Sequence, residues 1–277
     1  MESINQILAR ELNREQTHID NVVKLLDEGN TIPFIARYRK ELHGAMDDTA
    51  LRTLAERLEY LRSLAERRET VKNSITEQGK MTPELSAAID EAATLAALED
   101  LYRPYKPKRR TRATIAKEKG LEPLAAALFA QGGDLPAPET LAADYVNAEK
   151  GVETVEDALS GASDIVAELI SDDAEIRKKL RGFIESSAYL VSRAATEDDS
   201  VYRLYYDFKQ RVDRLQGHQI LAVNRGEKEG FLKAGIELDR ELALQRVRRA
   251  VIVPGSAAMA FVRAAADDAY DRLIWPS

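Results

Sequence analysis

Residues 51–79 read LRTLAERLEYLRSLAERRETVKNSITEQG, and this stretch decides the class of fold. Apolar residues recur along it at intervals of three and four, which places them on one face of an α-helix. They are Leu51, Leu54, Leu58, Leu61, Ala65, Val71 and Ile75. Asp47, Asp48 and Thr49 offer N-terminal caps, and Gly79 ends the pattern. The segment therefore predicts one long amphipathic helix.

Similar patterns extend on both sides of this helix. Alanine, leucine, glutamate and arginine are abundant, and runs of β-branched residues are few, which favours helices. Apolar residues at helical spacing occur in the first 29 residues, around Leu141, and at 155–159, 165–190, 203–215, 240–253 and 256–274. The fold class predicted is mainly α, with a multi-helical N-terminal region.

The pattern changes after Gly217. Short apolar runs at 219–223 and 231–238 flank the sequence NRGEKEG, which could be the loop of a small β-hairpin within 219–238. We therefore expect a helical domain over residues 1–200, followed by a helical and hairpin segment over residues 201–277.

A run of basic residues lies within LEDLYRPYKPKRRTRATIAKEKG, residues 98–120. We call residues 102–119 the basic strap. Its cations are Arg103, Lys106, Lys108, Arg109, Arg110, Arg112, Lys117 and Lys119. Glu118 is its single acid, whereas the whole chain has a formal net charge of -7. A run of one sign within a chain of the other sign predicts a local site for a polyanion.

Pro104 and Pro107 should keep residues 102–108 from forming a helix and leave the strap exposed. Tyr102 and Tyr105 then lie among the cations, a pattern suited to stacking bases of single-stranded nucleic acid. An alternative stays open. The basic residues could be solvated or paired with acidic helices, and the tyrosine rings could face inward.

A second basic group lies in TIPFIARYRKE, residues 31–41, and consists of Arg37, Arg39 and Lys40. If the segment is a short helix, Arg37 and Lys40 share a face at i,i+3 spacing and could contact phosphates. Equally, these charges could simply meet the partial negative charge at a helix C-terminus.

No constellation typical of an enzyme is evident, so we predict a non-enzymatic protein without cofactor or metal. The chain has no cysteine, which excludes disulfides and fits a reducing cytoplasm. His18, His43 and His218 lack metal-ligand spacing and are predicted to be surface or turn residues. Adjacent acids, such as Asp47-Asp48 and Asp172-Asp173, suit helix caps. No apolar run approaches the roughly 20 residues needed to cross a bilayer, so no membrane partner is expected.

Several phrases resemble the bacterial Tex family of transcription accessory factors. They are TIPFIARYRKELHG (31–44), residues 51–85 beginning LRTLAERLEY, LEDLYRPYKPKRRTRATIAKEKGLEPLA (98–125) and LAVNRGEKEG (221–230). The resemblance implies a helical N-terminal region with a helix-turn-helix-like part. In the family this region precedes an RNase H-like domain, helix-hairpin-helix elements and an OB-fold domain, which are expected to be absent from these 277 residues.

Two local departures from the family pattern weaken specific contacts. Residues 216–219 read QGHQ, where the family usually has proline-serine-histidine-arginine, and His43 stands where threonine is common. Together, the resemblance and the basic strap predict a helical scaffold that binds RNA or single-stranded DNA through phosphate contacts. The alternative is a protein–protein interaction scaffold of the transcription machinery that does not touch nucleic acid.

Overall fold

The computed structural model describes residues 2–107 and 110–277 and is mainly helical, which confirms the predicted fold class. It divides into two compact units, Met1–Tyr105 and Lys106–Ser277. This boundary differs from the one expected near residue 200. Residue 200 falls inside the second unit because the strand Tyr189–Ala194 pairs with two strands that follow it.

The first unit is helical throughout its regular structure. Its helices are α1 (Ile4–Leu12), α2 (Gln16–Asp27), α3 (Ile32–Tyr38), α4 (Asp48–Glu77), α5 (Pro83–Glu91) and α6 (Leu95–Tyr102), and a 3-10 turn, Arg103–Tyr105, follows.

Helix α4 organises the core of the first unit. The Asp47 carboxylate caps it by accepting a hydrogen bond of 2.7 Å from the Ala50 backbone N–H. Its first half packs with α1, α2 and α3, and its second half with α5 and α6, so one helix serves two apolar clusters. The predicted apolar face is buried, except that Leu64 rather than its neighbour Ala65 points into the core.

The second unit combines helices with a small sheet. Its elements are α7 (Arg112–Glu118), α8 (Glu122–Ala130), α9 (Pro138–Ala143), α10 (Val155–Asp172), α11 (Ala174–Ser187), β1 (Tyr189–Ala194), β2 (Asp207–Arg211), α12 (Gly217–Lys228), β3 (Leu232–Glu237), α13 (Arg240–Val251) and α14 (Met259–Asp268), followed by a π-helical turn, Ala269–Ile274.

Helix α10 lies at the centre of this unit and contacts α7, α8, α9 and α14. Small residues on α10 let its neighbours approach closely. A Cβ atom at Gly161 would lie 2.4 Å from Leu121 Cδ1 and 3.3 Å from Ala116 Cβ. Since Leu121 and Ala116 are both buried, the position of α7 depends on the missing side chain at Gly161.

The predicted hairpin within 219–238 is wrong. Residues 219–223 belong to α12, and β3 pairs with β1 in an antiparallel sheet of order β2-β1-β3. An apolar run of this length does not distinguish strand from helix. Local capping favours the helix here, because Gln219 Oε1 accepts a hydrogen bond of 2.9 Å from the Gln216 backbone N–H at the start of α12.

Two predicted helices also differ in extent. The pattern over 165–190 is interrupted at Asp173, whose side chain caps α11 by accepting from the Ile176 N–H at 2.8 Å. The predicted helix over 203–215 is wrong in part, since residues 207–211 form β2, which pairs with β1 over Asp207–Arg211.

Candidate nucleic-acid interface

The first part of the basic strap lies in the first unit, and it does not present Tyr102 to a ligand. The Tyr102 side chain is buried, its hydroxyl lies 3.0 Å from Ser74 Oγ, and the Arg67 guanidinium lies 5.4 Å from its ring centroid. The inward orientation that the sequence left open is therefore the one observed for Tyr102.

Residues 102–105 are helical rather than extended, which corrects the expectation drawn from the prolines. Tyr102 ends α6, and Arg103–Tyr105 forms a 3-10 turn, because the fixed φ of Pro104 suits the first residues of a helical turn. Tyr105 is half-buried, and its carbonyl accepts a hydrogen bond of 2.9 Å from Gln78 Nε2. Lys106 is exposed at the start of the second unit.

Within the second unit, several strap cations face acceptors. Lys108 and Arg109 lie outside the described residues. Arg110 pairs with Glu118 at 2.6 Å, and Lys117 lies 3.3 Å from Glu122. Lys119 Nζ donates to the Gly151 carbonyl at 2.7 Å. These exposed ion pairs are weak, with contributions of about 0–1 kcal/mol each. A phosphate could displace the carboxylates of these pairs, but in the structure the positive charge of Arg110 and Lys117 is partly neutralised.

Arg112 also faces acid groups. With Lys119 it lines a cleft of about 210 Å³ whose other wall carries Asp157 and Asp164. Burial raises the pKa of Asp164, and the positive charges of Arg272 and Arg112 oppose that rise. Arg112 is exposed, and its charge therefore acts on Asp164 across the cleft between α7 and α10.

The second basic group has the more open surroundings. Phe34 and Tyr38 lie one turn apart on α3, with ring centroids 5.2 Å apart, and the Tyr38 side chain is 56% exposed. The Arg37 guanidinium lies 6.0 Å from the Tyr38 ring, and that of Arg39 lies 5.4 Å from the Phe34 ring. We call these four residues, together with Lys40, the α3 cluster.

Lys40 does not share a helical face with Arg37, which corrects the i,i+3 expectation. Helix α3 ends at Tyr38, Arg39 caps it, and Lys40 lies in the turn that follows. Among the described residues, no carboxylate forms an ion pair with Arg37, Arg39 or Lys40. The α3 cluster thus combines the exposed cations Arg37 and Lys40 and the half-buried Arg39 with the exposed ring of Tyr38, which suits both phosphate and base contacts.

Sequence reasoning identified the cations of this cluster but missed Phe34 and Tyr38. The signal was present, since the two rings stand at i and i+4 in IPFIARY, a spacing that brings side chains together on a helix. The spacing does not predict that the Tyr38 ring is exposed, because an aromatic pair at that spacing more often belongs to a core.

The turn after the α3 cluster contains a buried histidine. His43 is only 1% exposed, and none of the described residues offers a hydrogen bond to either of its ring nitrogens. The backbone of this turn is held by Asn21 Nδ2, which donates to the Leu42 carbonyl at 3.2 Å. His43 is therefore a turn residue, as predicted, but not a surface one, whereas His218 is exposed.

Replacing His43 by leucine is expected to raise the free energy of unfolding by about 1–2 kcal/mol, because it removes buried polar atoms that lack partners. Urea denaturation followed by circular dichroism measures the change. His218→Leu is the control and should leave stability within about 0.5 kcal/mol of the parent. A loss of stability in His43→Leu would contradict this account of the turn.

The adjacent acids have structural partners. Asp47 and Asp173 cap helices α4 and α11, as their positions in the sequence predicted. Asp267 and Asp268 instead bind Arg248 and Arg272 at 2.7 and 2.6 Å. Over residues 2–107 and 110–277, no group of three or more histidine or acidic side chains could hold a metal ion. Within the same residues, every helix is too short or too polar to span a bilayer.

Comparisons with known proteins indicate the same family over most of the chain. Residues 2–76 match the Tex-like protein N-terminal domain, and residues 135–270 match the Tex central region-like family. Transcriptional accessory protein Tex from Neisseria gonorrhoeae is 45% identical over 240 residues, which cover 85% of this chain and 31% of that protein. Protein tex from Bordetella pertussis is 43% identical over 248 residues, covering 88% of this chain and 31% of that protein.

A more distant relative is S1 RNA-binding domain-containing protein 1 from Homo sapiens. It is 32% identical over 243 residues, which cover 84% of this chain and 24% of that protein. The chain spans about a third of the length of the bacterial relatives it matches.

Proposed function

This chain belongs to the Tex family, and on that premise we propose that it is a nucleic-acid-binding part of a transcription accessory protein that binds RNA or single-stranded DNA. The names of two bacterial relatives support the role in transcription, and the name of the human relative supports contact with RNA. A helix-turn-helix-like part, a cytoplasmic location and the lack of enzymatic activity belong to the same proposal.

The α3 cluster is the observation that carries the proposal. Its three cations have no carboxylate partner among the described residues, and the adjacent Tyr38 ring is exposed. Cations alone would fit the partial negative charge at the end of α3, which is the alternative stated above. An exposed ring beside them has no role in that alternative but gives a surface on which a base can stack.

The basic strap is proposed as a second contact. Arg110 and Lys117 are exposed and held only by surface ion pairs, which phosphates can replace at little cost. Contacts of this kind hold the backbone of a nucleic acid and do not read its sequence. We therefore expect binding with little sequence preference, and Tyr102 is excluded from the interface by its burial.

The salt dependence of binding tests the α3 cluster. The triple variant Arg37→Ala, Arg39→Ala, Lys40→Ala should reduce the log–log salt slope for a labelled single strand by about 2 units, since each lost phosphate contact to a single strand removes about 0.7. Fluorescence anisotropy between about 50 and 200 mM salt measures the slope.

A second triple variant controls for net charge. Arg14, Lys24 and Lys80 are exposed, lie in the same unit and form no ion pair within the described part of the chain, so their replacement by alanine removes the same charge. Equal slopes in the two triple variants would remove the α3 cluster from the proposal. Failure of the parent protein to bind any single strand at low salt would favour the protein–protein scaffold instead.

A further inference from the structure

Helices α13 and α14 of the second unit form a groove of about 400 Å³. Its floor is apolar, with Ile252, Ala260 and Met259, whose side chain is 42% exposed. Its rim carries Arg249 and Arg263, both of which are exposed, and also Glu241, which pairs with Arg248. The groove therefore combines apolar surface with positive charge on a chain whose net charge is -7.

The groove's third arginine is fixed in place. Arg248 donates to both Asp267 oxygens at 2.7 Å and to Glu241 at 2.8 Å, so two carboxylates compensate its charge. By contrast, Arg249 and Arg263 form no ion pair with any described carboxylate. Two uncompensated charges thus remain on the rim, available to an anionic partner.

The lining favours a protein partner over a nucleic acid. None of the described residues that line the groove is aromatic, so these residues offer no surface for stacking bases. Aliphatic side chains and an exposed methionine instead suit the aliphatic side chains of a peptide, and methionine adapts to different partners. The rim arginines complement carboxylates, which they can bind in a bidentate manner.

We propose that this groove binds an acidic peptide segment of a partner protein, with an apolar side chain on the floor and carboxylates on Arg249 and Arg263. The site lies entirely within the second unit and does not depend on the α3 cluster. The charge complementarity of the rim sets the orientation of the segment, and the floor requires at least one apolar residue in it.

A labelled peptide in which aspartate and glutamate alternate with leucine and phenylalanine tests this proposal. It should bind saturably in fluorescence anisotropy, and a matched peptide with glutamine and asparagine in place of the acids should bind at least about tenfold more weakly. The double variant Arg249→Glu, Arg263→Glu should weaken binding of the acidic peptide by a similar factor, and Met259→Glu should also weaken that binding.

The double variant Arg214→Glu, Lys233→Glu is the control, because both residues are exposed in the same unit and lie outside the groove. It should retain binding within about twofold, since distant exposed charges are screened. The proposal is overturned if both double variants bind the peptide equally, if the parent does not bind it, or if charge reversal at Arg249 and Arg263 abolishes only the binding of a single-stranded oligonucleotide.

Discussion

Gly161→Val is expected to destabilise the second unit by about 3 kcal/mol, because the added side chain has no space where α10 meets α7 and α8. The first added atom alone would lie 2.4 Å from Leu121 Cδ1. Leu121 is 1% exposed and cannot turn away into solvent, so either its rotamer or the helix position must change. A well-packed interior resists both changes.

The same substitution at Gly182 separates this steric effect from helix propensity. Gly182 lies inside α11, is exposed, and a Cβ atom there would have no neighbour within 4 Å. Valine is a slightly better helix former than glycine, so Gly182→Val should change stability by less than about 0.5 kcal/mol. The difference between the two variants then measures the cost of the close approach.

Urea denaturation followed by tryptophan fluorescence provides the measurement. The chain has a single tryptophan, Trp275, which lies in the same unit as both glycines and therefore reports on the unit concerned. Coincident midpoints for the two valine variants would show that α7 does not depend on Gly161. A large loss in Gly161→Val should also displace Arg112 and Lys117, which α7 carries.

The helices were predictable from the sequence because their determinants are local. Helix α4 follows from the spacing of its leucines and from the cap at Asp47, both of which act within a few residues. The same local reasoning did not predict the strands, because strand formation here depends on pairing between residues far apart in the sequence. Strand β1 lies between β2 and β3, and nothing within residues 189–194 indicates those partners.

The candidate interface was partly predictable for the same reason. A run of cations is visible in any sequence, but the partners that neutralise it are set by the fold. Arg112 lines the same cleft as Asp164 only because α7 packs on α10, and Tyr102 is buried only because α6 packs on α4. The exposure of Tyr38 likewise depends on which face of α3 the rest of the unit leaves uncovered. For this reason the proposed interface centres on the α3 cluster rather than on the basic strap.

Tyr38→Ala is expected to weaken the binding of single-stranded nucleic acid by about tenfold or more, since stacking of one base on an aromatic ring contributes about 1–3 kcal/mol. The side chain is 56% exposed, so its loss should leave the fold intact. Because no charge is removed, the salt slope should stay that of the parent. That combination distinguishes stacking from phosphate contact, which the triple cation variant removes.

Two replacements at the same position refine this prediction. Tyr38→Phe keeps the ring and should bind within about twofold of the parent, whereas Tyr38→Leu keeps apolar area without a π-face and should resemble alanine. Anisotropy with one labelled single strand at fixed salt compares all variants. Equal affinity of the phenylalanine and leucine variants would indicate contact by apolar area alone.

Tyr189 provides the matched control, because it is also an exposed tyrosine with a cation near its ring. Lys209 Nζ lies 4.9 Å from its ring centroid, but that cation is bound to Glu237 at 2.6 Å, so it has a carboxylate partner. Tyr189→Ala should therefore leave nucleic-acid affinity unchanged. The cation beside Tyr189 is paired and attracts a polyanion less strongly, while the ring of Tyr38 stands beside cations that no described carboxylate neutralises. If Tyr189→Ala weakens binding as much as Tyr38→Ala does, unpaired cations beside a ring do not determine where bases stack. The α3 cluster would then be no better a candidate for the interface than the surface around Tyr189.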